Sequence, residues 1–158
     1  MARISAEEIQ RKRKMYDECI LNLFFSEGWD AVTYDRIAKE MGVTKSSLQR
    51  YYANKMQFAH ALEGKVFQQA TQLLDFTSRI SFLNSWQCSL NDNKIFRECL
   101  HIIMSNALAP VSAPATTKAV TRLTGVLAQH IGDSEAQEVM DIALGRTLIV
   151  YMNNKLQQ

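Results

Sequence analysis

Residues 42–55 read GVTKSSLQRYYANK. The stretch gathers Thr44, Lys45, Ser46, Ser47, Gln49, Arg50, Tyr51 and Lys55, all of them hydrogen-bond donors, and it contains no carboxylate. Leu48 and Tyr52 stand one helical turn apart, so a helix here turns both to the same side. Ser46, Gln49 and Arg50 then fall on the opposite face, Lys45 lies in the first turn, and Ser47 and Tyr51 occupy the flanks. One face is suited to a core, the other to a partner rich in acceptors.

Working upstream, Thr33 can cap a helix that carries Asp35 near its positive end, with Ile37, Ala38 and Met41 inward and Gly42 as its stop. Thr44 can cap the next helix. Residues 33–52 therefore read as helix, tight glycine-containing turn, helix, the pattern whose second helix enters the DNA major groove. Further upstream, Ser5 and Glu8 form a capping box. The helix it opens has Ile9, Tyr16, Ile20, Leu23 and Phe24 on its apolar side and Gly28 at its end. Downstream, Asn54 can cap a fourth helix with Lys55 in its first turn, where backbone N–H groups and a lysine together suit a phosphate. Charge follows the same map. Residues 1–60 hold ten Lys/Arg against eight Asp/Glu, and no acid lies between Glu40 and Glu63, a window that holds Lys45, Arg50 and Lys55.

The whole chain has 158 residues, 47% of them hydrophobic, with two prolines and six glycines, a composition that favours an all-α protein. The fourth helix is expected over about 55–77, with Phe58, Leu62, Val66, Phe67, Ala70, Leu73 and Leu74 on a broad apolar face. SFLNSWQCSLNDN, residues 81–93, is expected to be a loop with a helical turn. Helices are expected over 94–107, over about 116–131 after a proline-marked connection, and over about 135–156, the last opened by a Ser134/Gln137 capping box. The expected division is a helix-turn-helix DNA-binding domain at 1–55 and a second helical domain at 56–158. Phe82, Trp86, Phe96, His101 and Met104 could line a ligand cavity. The last two helices either close this chain's own core or, with their two-fold mates, make a four-helix bundle, for which Leu123, Leu127, Met140, Ala143, Leu144, Gly145, Leu148 and Tyr151 are candidate contacts.

Other chemistries find little support. No apolar run approaches the roughly 20 residues of a membrane span, and the first residues lack the apolar core of a secretion signal, so a cytoplasmic protein with no membrane partner is expected. Cys19, Cys88 and Cys99 make an odd set and read as reduced thiols. His60, His101 and His130 share no metal-ligand spacing, and no carboxylate pair accompanies a nucleophile. Neither cofactor, metal nor catalysis is expected.

VTYDRIAKEMGVTKSSLQRYYANKMQF, residues 32–58, resembles the DNA-binding signature of the tetracycline-repressor (TetR) family. Thr33 ahead of Ile37–Ala38, then GVT, Leu48, Tyr51, Tyr52 and Lys55 carry the resemblance, together with Phe24–Phe25 and Gly28 before them. It implies a three-helix DNA-binding domain followed by a variable helical domain that dimerises and often holds a small ligand. Lys45, Ser46, Ser47, Gln49 and Arg50 match recognition-helix positions, and Thr33, Tyr51 and Lys55 match positions that often contact phosphate. Gln49 stands where an aromatic is common, Met56 where an acid often follows the lysine, and the second domain is short. The implied protein is a homodimeric transcriptional regulator on double-stranded DNA. It would be a repressor on a palindromic operator, released by a small apolar or cationic ligand. The alternative is a ligand-independent architectural or protein-interaction factor on DNA.

Overall fold

The computed structural model describes residues 5–111 and 113–155, and among the described residues every regular element is helical. The chain divides into two compact units, Met1–Glu63 and Gly64–Gln158. The expected boundary after residue 55 thus falls at the start of an element that belongs to the first unit.

The first unit is built on α1 (Ala6–Glu27), opened by the Ser5 hydroxyl, which accepts from the Glu8 N–H at 3.1 Å. Tyr16, Cys19, Ile20, Leu23 and Phe24 form its buried side, while Ile9 lies exposed near its start. α2 (Tyr34–Met41) and α3 (Lys45–Gln49) follow, and a 3-10 helix, Lys55–Leu62, packs back on α1. Trp29, Val32, Ile37, Leu48, Tyr52, Phe58 and Leu62 complete the core at no more than 1% exposure. A core this dry fixes each element against the others by shape rather than by local propensity.

The turn between α2 and α3 depends on Gly42, whose backbone is left-handed at φ +63° and ψ +33°. Its N–H donates to the Lys39 carbonyl at 3.4 Å and the Val43 N–H to the Ala38 carbonyl at 3.0 Å, the paired bonds of a Schellman stop.

Three sequence expectations are corrected beyond this point. The fourth helix is not continuous over 55–77. Gly64 adopts φ +73°, a region L side chains rarely occupy, and separates the 3-10 helix from α4 (Val66–Thr71). Residues 81–93 are not a loop, because α5 runs over Arg79–Asp92. Its Phe82, Leu83, Trp86 and Leu90 recur at helical spacing and are buried, whereas Asn84, Cys88 and Asn91 face water. The Ser134/Gln137 capping box does not form. The last helix among the described residues, α8 (Asp133–Lys155), starts two residues earlier, with the Gly132 carbonyl accepting from Ala136, and the Gln137 amide donates to Asp141 at 3.0 Å instead.

The second unit packs α4 on α6 (Lys94–Ala107), α5 on both α6 and α8, and α7 (Pro114–Ile131) along α8. Side-chain bonds join these helices. The buried Trp86 indole N–H donates to Thr147 Oγ1 at 3.0 Å, and that hydroxyl donates to the Ala143 carbonyl at 2.9 Å. Buried Asn106 donates to Thr116 at 2.9 Å, tying α6 to α7. Arg79 reaches Glu138 at 3.3 Å and Glu135 at 4.0 Å, tying α5 to α8. Cys19 and Cys99 are buried thiols and Cys88 is exposed, and burial pushes the Cys99 thiol up to about 12.

Two substitutions test these constraints. Thr147→Val keeps the shape but strands a buried indole N–H, so urea unfolding followed by circular dichroism is expected to register a loss of about 1–3 kcal/mol. Thr147→Ser is expected to restore most of it. A Cβ at Gly42 meets nothing within 4 Å, so its cost is conformational alone. Gly42→Ala is expected to lose about 1–2 kcal/mol in the same assay, and Gly42→Asn less, because asparagine tolerates the left-handed region.

Candidate nucleic-acid interface

α3 is five residues long, too short to hold itself together. Its caps and anchors supply the order. Thr44 Oγ1 accepts from the Ser47 N–H at 3.2 Å and lies 2.9 Å from the Ser47 hydroxyl. At the other end the Leu48 carbonyl accepts from the N–H groups of Tyr51 at 2.9 Å and Tyr52 at 3.0 Å, carrying the turn past the helix. Leu48 and Tyr52 are fully buried at 0% exposure.

Tyr52 is the stronger anchor. Its hydroxyl donates to Asp17 Oδ1 on α1 at 2.5 Å, its ring meets Phe58 edge-on at 5.1 Å, and the Arg13 guanidinium lies 5.5 Å from the ring centroid. Burial, then the Asp17 carboxylate, pushes the phenol well above its ordinary range, so the hydroxyl stays a donor. Tyr34 of α2 donates to the Tyr52 carbonyl at 2.5 Å, and Tyr51 packs edge-on against Tyr16 at 5.1 Å. Both helices of the pair are thereby fixed to α1. A second tie is Arg36, which reaches Glu27 of α1 at 2.7 Å and Glu40 at 2.5 Å.

With Leu48 and Tyr52 committed inward, Thr44, Lys45, Ser46, Gln49 and Arg50 are exposed. Ser47 and Tyr51 are half-buried on the flanks, and Thr33, also half-buried, caps α2 by accepting from the Arg36 N–H at 3.2 Å. Lys45 Nζ lies 3.1 Å from Asp35 Oδ2. Lys55 sits differently from the other lysine. Asn54 caps the 3-10 helix, and the Lys55 ammonium rests 5.1 Å from the Trp29 ring centroid. Desolvation lowers its pKa, opposed by Asp30. Thr44, Lys45, Ser46, Gln49 and Arg50 are thus turned to water around the buried Leu48, and Lys55 is held against an indole.

The partners that position these residues were not among the expected site residues. The Arg36–Glu40 pair carries a readable signal, the i,i+4 spacing. Asp17 carries none, since it lies 35 residues from Tyr52 in sequence.

In the second unit, Phe82 and Phe96 each pack on Trp86, with ring centroids 5.7 and 5.2 Å from its own, and all three are buried at 0–2% exposure. His101 stands beside Tyr151 at 6.1 Å, and Met104 is half-buried on α6. Among the residues expected at a subunit contact, Leu127, Met140 and Ala143 lie in this unit's own core at 0–1% exposure, because α7 and α8 pack on each other through that side. Leu123, Leu144 and Tyr151 are half-buried, with the Tyr151 hydroxyl bonded to the Arg97 carbonyl. Gly145 and Leu148 are exposed, and Ile149 and Met152 join them on the same face of α8. Among the described residues no group of His, Cys, Asp and Glu could hold a metal ion, and no helix is long and apolar enough to cross a membrane.

Two family descriptions match the chain: residues 20–62 match "Bacterial regulatory proteins, tetR family", and residues 63–152 match "Tetracycline repressor LuxT C-terminal domain". The curated relatives it resembles include two from Pseudomonas putida, the HTH-type transcriptional regulator SrpR and the uncharacterized HTH-type transcriptional regulator TtgW. Each is 29% identical over 87 residues, or 55% of this chain. Those residues cover 40% of SrpR and 63% of TtgW, so the match spans less than two thirds of either relative. A helix-turn-helix whose second helix turns only donors outward, followed in the chain by a second matched helical unit, places the chain in the tetracycline repressor family of DNA-binding transcriptional regulators.

Proposed function

We propose that the protein is a homodimeric, cytoplasmic repressor that binds an imperfect DNA palindrome, each protomer placing α3 in one major groove. The observation that carries this reading is the division of α3. Leu48 is sealed in the core, while Lys45, Ser46, Gln49 and Arg50 project to water with no acid among them. Gln49 suits bidentate reading of adenine, and Lys45 or Arg50 suits guanine. Thr33, Thr44, Ser47 and Tyr51, on the caps and flanks, suit phosphate oxygens. Lys55, held on Trp29, would add positive charge beside the backbone.

The subunit contact is assigned to α8. Gly145, Leu148, Ile149 and Met152 fall at i, i+3, i+4 and i+7, and the three large side chains are 48–59% exposed. Such a stripe is what two copies of a helix would cover around a two-fold axis. As for an inducer, the packing of Phe82 and Phe96 on Trp86 favours a repressor that works without one, because a small apolar or cationic compound would first have to part those rings. A thermal-shift screen separates the two: reproducible stabilisation selects the inducer reading, and none selects the ligand-independent one.

Selection of bound duplexes from a random pool tests the main reading. Inverted half-sites with centres about 34–36 Å apart, or a multiple of that, are expected. Enrichment of nothing, or of one isolated half-site, would overturn it. On the selected site Gln49→Ala is expected to cost about 1–3 kcal/mol, all of it at particular base pairs. Ile149→Glu is expected to give monomers in sedimentation and to weaken binding to the paired site far more than to a single half-site.

A further inference from the structure

The Lys45–Asp35 contact sets a base-reading lysine against a carboxylate on the preceding helix, 3.1 Å away, with both groups well exposed. An exposed pair of this kind adds little to stability. It also costs affinity for DNA, since Asp35 brings negative charge to a surface meant for a polyanion. Glu40, the other carboxylate of α2, is already engaged with Arg36. Asp35 is therefore the carboxylate that bears on the exposed donors of α3.

An ammonium group has three N–H donors. In the free protein one of them is directed at Asp35. If Lys45 swings to a phosphate, it exchanges one anion for another and leaves Asp35 facing the duplex with no counter-charge. If Lys45 instead meets guanine N7 and O6, both acceptors are uncharged, and the contact to Asp35 can persist beside them. The carboxylate thus penalises the contact every sequence offers and spares the one that only some sequences offer. We propose that Asp35 is a specificity-determining residue of this interface, acting by holding Lys45 toward base edges and away from phosphate. This inference rests on the reading of α3 as a DNA-recognition helix.

The test measures binding of the full chain to its selected duplex and to a random-sequence duplex over a salt series. Wild type, Asp35→Asn, Lys45→Ala and the double variant are compared. Asp35→Ser, which keeps a residue suited to a helix start, is a second variant in case the amide perturbs α2. Asp35→Asn is expected to tighten the random duplex by up to about fivefold, the range an exposed ion pair supports, and to steepen its salt slope by about one. The selected duplex is expected to change less, so the specificity ratio falls. In the Lys45→Ala background the same change is expected to move both duplexes by one common factor. Equal shifts on both duplexes with Lys45 present would overturn the proposal, because Asp35 would then act as a plain repelling charge. A wild-type chain that fails to distinguish the two duplexes would overturn the DNA-recognition reading itself, and that result appears before any variant is made.

Discussion

The part-buried bond from the Tyr52 hydroxyl to Asp17 is the constraint on which the first unit turns. A five-residue helix has no stability of its own, and α3 carries a single buried side chain within its span, Leu48. Tyr52 extends that anchorage past the helix end. Its ring is sealed against Phe58, its hydroxyl is bonded to α1, and its carbonyl accepts from Tyr34 of α2. Three elements meet at one residue. Because that residue occupies the inward direction, the positions a half-turn away are driven outward, and they are Ser46, Gln49 and Arg50. The chemistry of the exposed side follows from the commitment of the hidden side.

The second unit follows the same logic with different materials. Its polar bonds, Trp86 to Thr147 and Asn106 to Thr116, are buried and mutually satisfied, so they fix which helix faces meet. Having spent Leu127, Met140 and Ala143 on its own core, it leaves Leu148, Ile149 and Met152 uncovered on α8. Phe82 and Phe96 both pack on the Trp86 ring within this core.

Much of this could be read from the residues alone, and the failures are instructive. The caps at Ser5, Thr33, Thr44 and Asn54 were legible because each is a local event within three residues. The α2–turn–α3 unit was legible because Gly42 and the Leu48/Tyr52 spacing are also local. The continuous helix over 55–77 failed at Gly64, where a run of apolar positions masked a breaker. The loop assigned to 81–93 failed because serine and asparagine suggested coil, while Phe82, Trp86 and Leu90 already kept helical spacing and tertiary burial overrode propensity. Three of the expected subunit-contact residues proved internal because periodicity identifies an apolar face but not what covers it. The partners Asp17 and Asp35 were invisible for another reason. A contact across 35 residues, or between two exposed charges on successive helices, leaves no pattern in the chain.

The outward face of α3 can be examined directly by amide hydrogen exchange of the full chain, free and with its selected duplex. Slowed exchange concentrated in residues 42–55, with the buried backbone around Phe82 and Trp86 unchanged, is the expected result. Slowing confined to the second unit, with residues 42–55 exchanging as in the free protein, would contradict the assignment of α3 as the element that meets DNA.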